Sequence, residues 1–170
     1  VSGPNGPIWY FTYGERWLPQ SIAGEPNCIY WREHDGWLQF YCFYARDLSP
    51  LPWRRGHRYD WELVQFTHDT CALSQHGRAR TIGIHTMRLI DDRPCIYVAL
   101  GKHANYAHPG LHHTHGLDFD IALGNGRILS HYRLEPAPAD GWADRTFGKI
   151  TAPGKTRAWH DPAGWAGRIP

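Results

Sequence analysis

Residues 28–42 read CIYWREHDGWLQFYC. Two runs rich in aromatic and β-branched residues flank His34-Asp35-Gly36, a pattern that predicts a β-hairpin. With a three-residue loop, Gly36 takes the left-handed position that such a loop requires. That register sets Cys28 opposite Cys42. The chain has four cysteines, at 28, 42, 71 and 95, so the remaining pair is Cys71–Cys95. No C-x-x-C spacing points to structural zinc. An even count at wide spacing suits two disulfides and an oxidising compartment; the alternative is four reduced, buried thiols.

Further runs of the same kind lie on either side: IWYFTY (8–13), WELVQFT (61–67), TIGIHTMRLI (81–90), CIYVALG (95–101) and RILSHYRLE (127–135). They are short and separated by turn signals such as DDRP (91–94) and GNG (124–126). Few windows escape Gly or Pro for long enough to make a helix. The expected fold is all-β, a sandwich of two antiparallel sheets with long loops and few short helices, in one domain spanning 1–170. A short helix is expected near GWADRTF (141–147). The last stretch, AWHDPAGWAGRIP, is expected to be irregular and to lie over the core through its tryptophans.

Composition narrows the function. Eighteen Lys and Arg stand against 16 Asp and Glu, without long basic runs, so there is no electrostatic case for nucleic acid. No apolar run approaches the ~20 residues of a membrane-spanning helix. The opening VSGPNGP has neither a positive nor an apolar leader segment, which fits a mature secreted chain or a trimmed one. A monomer is expected.

The chemistry concentrates in GHRYDWE (56–62). Strand alternation puts Asp60 and Glu62 on one face with Arg58, and Tyr59, Trp61 and Leu63 on the other. His57 lies beside Gly56, where the backbone can bend, and a Pro-rich loop can return Asp47 to the same strand end. One imidazole and three carboxylates make a hard, oxygen-rich set suited to Mg²⁺ or Ca²⁺, with Mn²⁺ and Zn²⁺ as the other candidates. An ordinary surface network with Arg54, Arg55 and Arg58 is the competing reading.

GHRYDWE resembles the heptapeptide of the necrosis- and ethylene-inducing peptide-like proteins, secreted cytolysins of plant-associated microbes. Six positions match; the family has His where this chain has Tyr59. FYARD (43–47) resembles the family strand that ends in a metal-binding Asp. The resemblance implies that Asp47, His57, Asp60 and Glu62 surround a divalent cation, and that the fold is a β-sandwich with peripheral helices. It further implies a glycosylated sphingolipid or other glycan as ligand, with peripheral contact to a target membrane. YVALGKHANY (97–106) and IWYFTYGERWLPQS (8–21) are instead similar to a related vacuolar-protein-sorting family.

GKHANYAHPGLHHTHGLDFD (101–120) is dense in imidazoles. His113 and His115 would share a face on a strand, but a solvated polar loop is the favoured reading for His108, His112, His113 and His115. His103, at the end of an expected strand, is placed to complete the Asp47–Glu62 site or to serve as a base beside it. Trp53, in the loop before the heptapeptide, is the best candidate to stack on a sugar. Three functions follow. The first is a secreted, cation-dependent, cytolysin-like binder of glycosylated lipid or carbohydrate. The second is a metal-dependent hydrolase or lyase acting on a polysaccharide or phosphodiester, with His57 or His103 as base and Arg58 stabilising negative charge. The third is a non-toxic secreted effector with a structural metal. The absence of a nucleophile motif ranks binding above catalysis.

Overall fold

A computed structural model describes residues 10–12, 28–47, 58–76, 78–90, 92–115, 118–122, 128–129, 134–137 and 158–167. Thirteen strands are described: β1 (Tyr10–Thr12), β2 (Cys28–His34), β3 (Trp37–Arg46), β4 (Arg58–Phe66), β5 (Thr70–Gln75), β6 (Arg78–Gly83), β7 (Leu89–Ile90), β8 (Arg93–Val98), β9 (Asn105–Tyr106), β10 (Gly110–His115), β11 (Asp118–Ala122), β12 (Ile128–Leu129) and β13 (Leu134–Pro136). One sheet has the order β13-β2-β3-β4-β5-β6, and a second runs β12-β1-β8-β7 with β9 on β8. β10 and β11 form a separate two-stranded ribbon. Pairing is antiparallel except for β13 with β2 and β1 with β8.

The expected all-β fold is what forms. The two sheets pack on a core in which Phe40, Cys42, Tyr44, Val64, Phe66 and Leu73 of the large sheet meet Ile96 and Val98 of β8. The large sheet also buries its opposite face. Tyr41, Trp61 and Leu63 there pack under Trp159 and Trp165. The segment that carries these tryptophans is not irregular: α1 (Pro162–Ala166) starts at Asp161, whose side chain accepts the Gly164 amide at 2.9 Å. Buried glutamines tie it to the sheet. Gln39 donates to Gln65 Oε1 (2.8 Å) and to the Ala158 carbonyl (2.7 Å), and Gln65 donates to the Pro162 carbonyl (2.8 Å). Arg32 lies over the Trp159 ring at 3.4 Å.

The 28–42 hairpin forms with a register one residue from the expected one. Its loop is Asp35-Gly36 alone, both with positive φ (49° and 75°), as a type I′ turn requires. Cys28 therefore faces Phe43, and Cys42 faces Ile29. The disulfides Cys28–Cys42 and Cys71–Cys95 are not formed: Cys42, Cys71 and Cys95 are buried thiols. A one-residue shift moves every side chain of a strand to the other face, so Cys42 points into the inter-sheet core. Cys71 belongs to that same core, whereas Cys95 packs in a third cluster with Tyr97 and Tyr106. Burial pushes the Cys71 thiol pKa well above its ordinary value, and the Cys95 thiol up as well.

Other boundaries also shift. Residues 81–90 are not one strand: a 3₁₀ turn at Ile84–Thr86 separates β6 from β7, with the Thr86 hydroxyl on the Gly83 carbonyl at 2.8 Å. The DDRP turn lies where expected, between β7 and β8, with Asp92 at φ 59°. TCALSQ forms β5, unremarked in the sequence because it holds one β-branched residue and no aromatic; pairing on both sides makes it a buried inner strand. The expected helix at 141–147 and the GNG turn lie outside the described residues.

Candidate functional site

The alternation read in β4 holds. Trp61 and Leu63 face α1, while Glu62 and Asp60 take the inter-sheet side in line with Val64. In the β3–β4 register Asp60 opposes Tyr44 and Glu62 opposes Cys42. Both carboxylates are buried, Asp60 at 8% and Glu62 at 4% exposure. A buried carboxylate is costly unless it is hydrogen-bonded or paired.

His103 answers for Asp60. Its Nδ1 lies 3.0 Å from Asp60 Oδ2, and its ring stacks on Tyr44 with centroids 3.8 Å apart and planes 2° apart. Asp60, Tyr44 and His103 thus form one packed triad with His103 at 1% exposure. A tight turn after β8 makes this contact. Gly101 and His103 both adopt left-handed backbone (φ 72° and 58°), and the His103 amide donates to the Ala99 carbonyl at 3.0 Å. An ionised Asp60 can only accept, so Nδ1 then carries a proton.

Ser74 answers for Glu62. The β4–β5 ladder begins at Val64↔Leu73, and beyond it the Ser74 hydroxyl enters between the strands. It donates to Glu62 Oε2 and accepts the Leu63 amide at 2.9 Å. Its single proton is then used, so Asn105 can face it only with its amide nitrogen, 3.5 Å away. This fixes the amide orientation and leaves Asn105 Oδ1 buried without a hydrogen-bond partner among the described residues. A buried carbonyl without a donor costs roughly 1–3 kcal/mol, which a cation or a water would offset.

Asp47 is half-buried one residue beyond β3, at the sheet end where Arg46 opposes Arg58. Asp47, Asp60 and Glu62 therefore lie toward the same end of adjacent strands. His57 and Trp53 lie outside the described residues, as do the side chains of Arg58 and Tyr59. Among the described residues no three His, Cys, Asp or Glu side chains stand close enough to hold a metal ion. The donors present are nevertheless of the oxygen-rich kind that Mg²⁺ and Ca²⁺ take.

A second polar cluster was not singled out in the sequence. Asp120 Oδ2 is 2.7 Å from His76 Nε2 and accepts the Tyr106 hydroxyl at 2.7 Å, while Asp120 Oδ1 is 3.0 Å from Lys102 Nζ. Lys102 also pairs with Asp118 at 2.6 Å. Burial alone would raise the Asp120 pKa; the bonds from His76 and Tyr106 and the nearby charges outweigh it and hold the carboxyl below its ordinary value. Tyr106 is pushed far up, first by burial and then by its bond to Asp120. Of the histidines expected in a solvated loop, His112 and His113 lie on β10 and make ring contacts, whereas His108 is exposed. His112 stacks on Tyr106 at 3.7 Å, His113 meets Phe119 edge to face at 5.2 Å, and a register shift between His113 and His115 breaks the alternation expected there. The one available signal was the D-x-D spacing of Asp118 and Asp120, which strand alternation places on one face.

Comparisons of the chain with known protein families, with characterised proteins and with solved structures return no match. The likeness of residues 43–47 and 56–62 to the necrosis-inducing family rests on those residues alone.

Proposed function

We propose that this protein is a secreted, divalent-cation-binding protein that recognises glycosylated lipid or carbohydrate at a target membrane, in the manner of the necrosis-inducing cytolysins. The observation that carries the reading is the placement of Asp60 and Glu62. Both are on one buried face of β4, beside the end of β3 that leads to Asp47, with His103 folded onto Asp60. The orphaned Asn105 carbonyl adds a neutral oxygen donor near Ser74 and Glu62. Asp47, Asp60 and Glu62, with His57 from the heptapeptide, would hold Mg²⁺ or Ca²⁺ through oxygen-rich coordination and leave positions open to sugar hydroxyls. Secretion rests on the family resemblance, since reduced cysteines no longer argue for an oxidising compartment. Calorimetry with Mg²⁺, Ca²⁺ and Mn²⁺ tests the site. Wild type is expected to bind and Asp60→Ala to lose binding; equal binding by the two would sink the reading.

The His103–Asp60 pair favours a second reading, a metal-dependent hydrolase or lyase in which His103, oriented by Asp60, is the base. A panel of polysaccharides and phosphodiesters assayed with and without chelator separates the two. Turnover that disappears in His103→Gln while cation binding persists would place catalysis first.

A further inference from the structure

An open groove of about 940 Å³ runs along the inner face of β6, opposite β10. Its size is at the upper end of small-ligand sites, roughly 300–1,000 Å³. Leu73 and Ile82 contribute an apolar floor. Two arginines dominate the wall. Arg78 and Arg80 are two apart on one strand and so share a face, and Arg80 stands opposite Leu73 in the ladder, on the inter-sheet side. Both are exposed, and neither side chain makes an ion pair or hydrogen bond among the described residues. The imidazoles of His76, His108 and His112 also line it; His76 Nε2 is taken up by Asp120 and His112 Nε2 by the His108 carbonyl at 3.0 Å. Asp118 is the one carboxylate among the described residues that line the groove, and it is held by Lys102.

Among the described residues this is an unneutralised pair of guanidinium forks in a concave site. Guanidinium matches phosphate and sulfate through paired N–H donors and loses less on leaving water than an ammonium does. Among the described residues β6 has no strand partner beyond β5 in its sheet, and charge on an edge strand also discourages edge-to-edge pairing. That role needs no pocket. It also gives no reason for a rigid imidazole wall, in which His76 is anchored by Asp120 and His112 by its stack on Tyr106.

We propose that the groove between β6 and β10 is a second binding site, which takes a ligand bearing a phosphate or sulfate ester through Arg78 and Arg80. The apolar floor receives the body of the ligand, and His76 and His112 bound the anion on the far side. The site is separate from the Asp47–Glu62 cluster and needs no cation. The oxyanion could come from a soluble esterified sugar or from a phosphorylated lipid headgroup, a chemistry shared by both.

The test is calorimetry on the full chain in the presence of chelator. The soluble probes are a sulfated disaccharide, its unsulfated parent and inositol trisphosphate. A sedimentation arm uses phosphatidylcholine vesicles with and without phosphatidylinositol bisphosphate. Esterified probes should bind and the unsulfated parent should not. Arg78→Gln and Arg80→Gln should each weaken binding about tenfold or more, the worth of a charge-assisted bidentate contact. Arg88→Gln, an exposed arginine outside the groove, should bind like wild type, and unchanged melting of the variants shows that the fold is intact. Binding to free probes alone assigns a soluble ligand, and binding to vesicles alone assigns a headgroup; either supports the site. Three results would overturn it: no binding of any esterified probe, equal binding of the unsulfated parent, or full binding by the Arg78→Gln/Arg80→Gln double variant. Persistence of binding in Asp60→Ala keeps this site distinct from the cation site, so either can fail alone.

Discussion

Replacing His103 by Ala is the most informative single change. The imidazole is at 1% exposure, bonds Asp60 at 3.0 Å and stacks on Tyr44 at 3.8 Å. Loss of a hydrogen bond to a charged group costs about 1.5–3 kcal/mol. Loss of an aromatic stack costs about 0.5–1.5 kcal/mol more. The expected destabilisation is therefore roughly 2–4.5 kcal/mol, before any cavity contribution. For a chain of this length each kcal/mol moves the melting midpoint by about 2–4 °C, so the fall should be roughly 4–18 °C. Part of the cost is charge left with one partner fewer in a buried site. Asp60→Asn in the His103→Ala background should then recover some of it, and the double-mutant cycle should show coupling above about 0.5 kcal/mol. His103 also sits at φ 58°, a region that Asn tolerates better than most residues. His103→Asn should accordingly melt above His103→Ala, since its short amide can still donate toward Asp60. Urea denaturation in the presence of chelator is the assay, because a cation would mask the effect. A His103→Ala midpoint equal to wild type, or strictly additive effects of the two substitutions, would refute the argument that His103 offsets the burial of Asp60.

Three further outcomes are expected. The folded-state pKa of Asp120 is depressed, so its contribution is fully present above the unfolded value of about 3.9 and is lost as pH falls through the folded value. Below about pH 4 wild type should lose stability more steeply than Asp120→Asn; parallel acid limbs in chemical denaturation would contradict this. Cys71 should resist iodoacetamide in the native protein at pH 8 and react once unfolded, and a Cys71–Cys95 cross-linked peptide in non-reducing digests would refute the thiol assignment. Gly36→Ala should cost about 1 kcal/mol or more, although its Cβ would meet nothing within 4 Å, because φ is 75° there; an unchanged melting midpoint would argue against the two-residue turn.

The part of the site legible in the sequence was the part that depends on neighbours along the chain. A period of two is enough to put Asp60 and Glu62 on one side of β4 and Trp61 and Leu63 on the other. His103 was placed near Asp60 from its position at a strand end, though they lie 43 residues apart, and the left-handed turn at Gly101 and His103 makes the contact. The His76–Asp120 bond spans 44 residues, and no local pattern in either segment announces it.

What the sequence by itself determined was strand character, the existence of the 28–42 hairpin and the two faces of β4, all set by side-chain alternation and turn chemistry over a few residues. Tertiary structure decided the rest. The choice between a two- and a three-residue loop shifts the hairpin by one position, and that shift set Cys42 opposite Ile29, where it joins the core. Which carboxylate meets which imidazole was settled only when β9 came to rest against β4 and β5 and Asp120 of β11 reached His76. Hydrogen bonds between distant segments are selected by packing of the whole chain, and alternation along one strand carries no information about them.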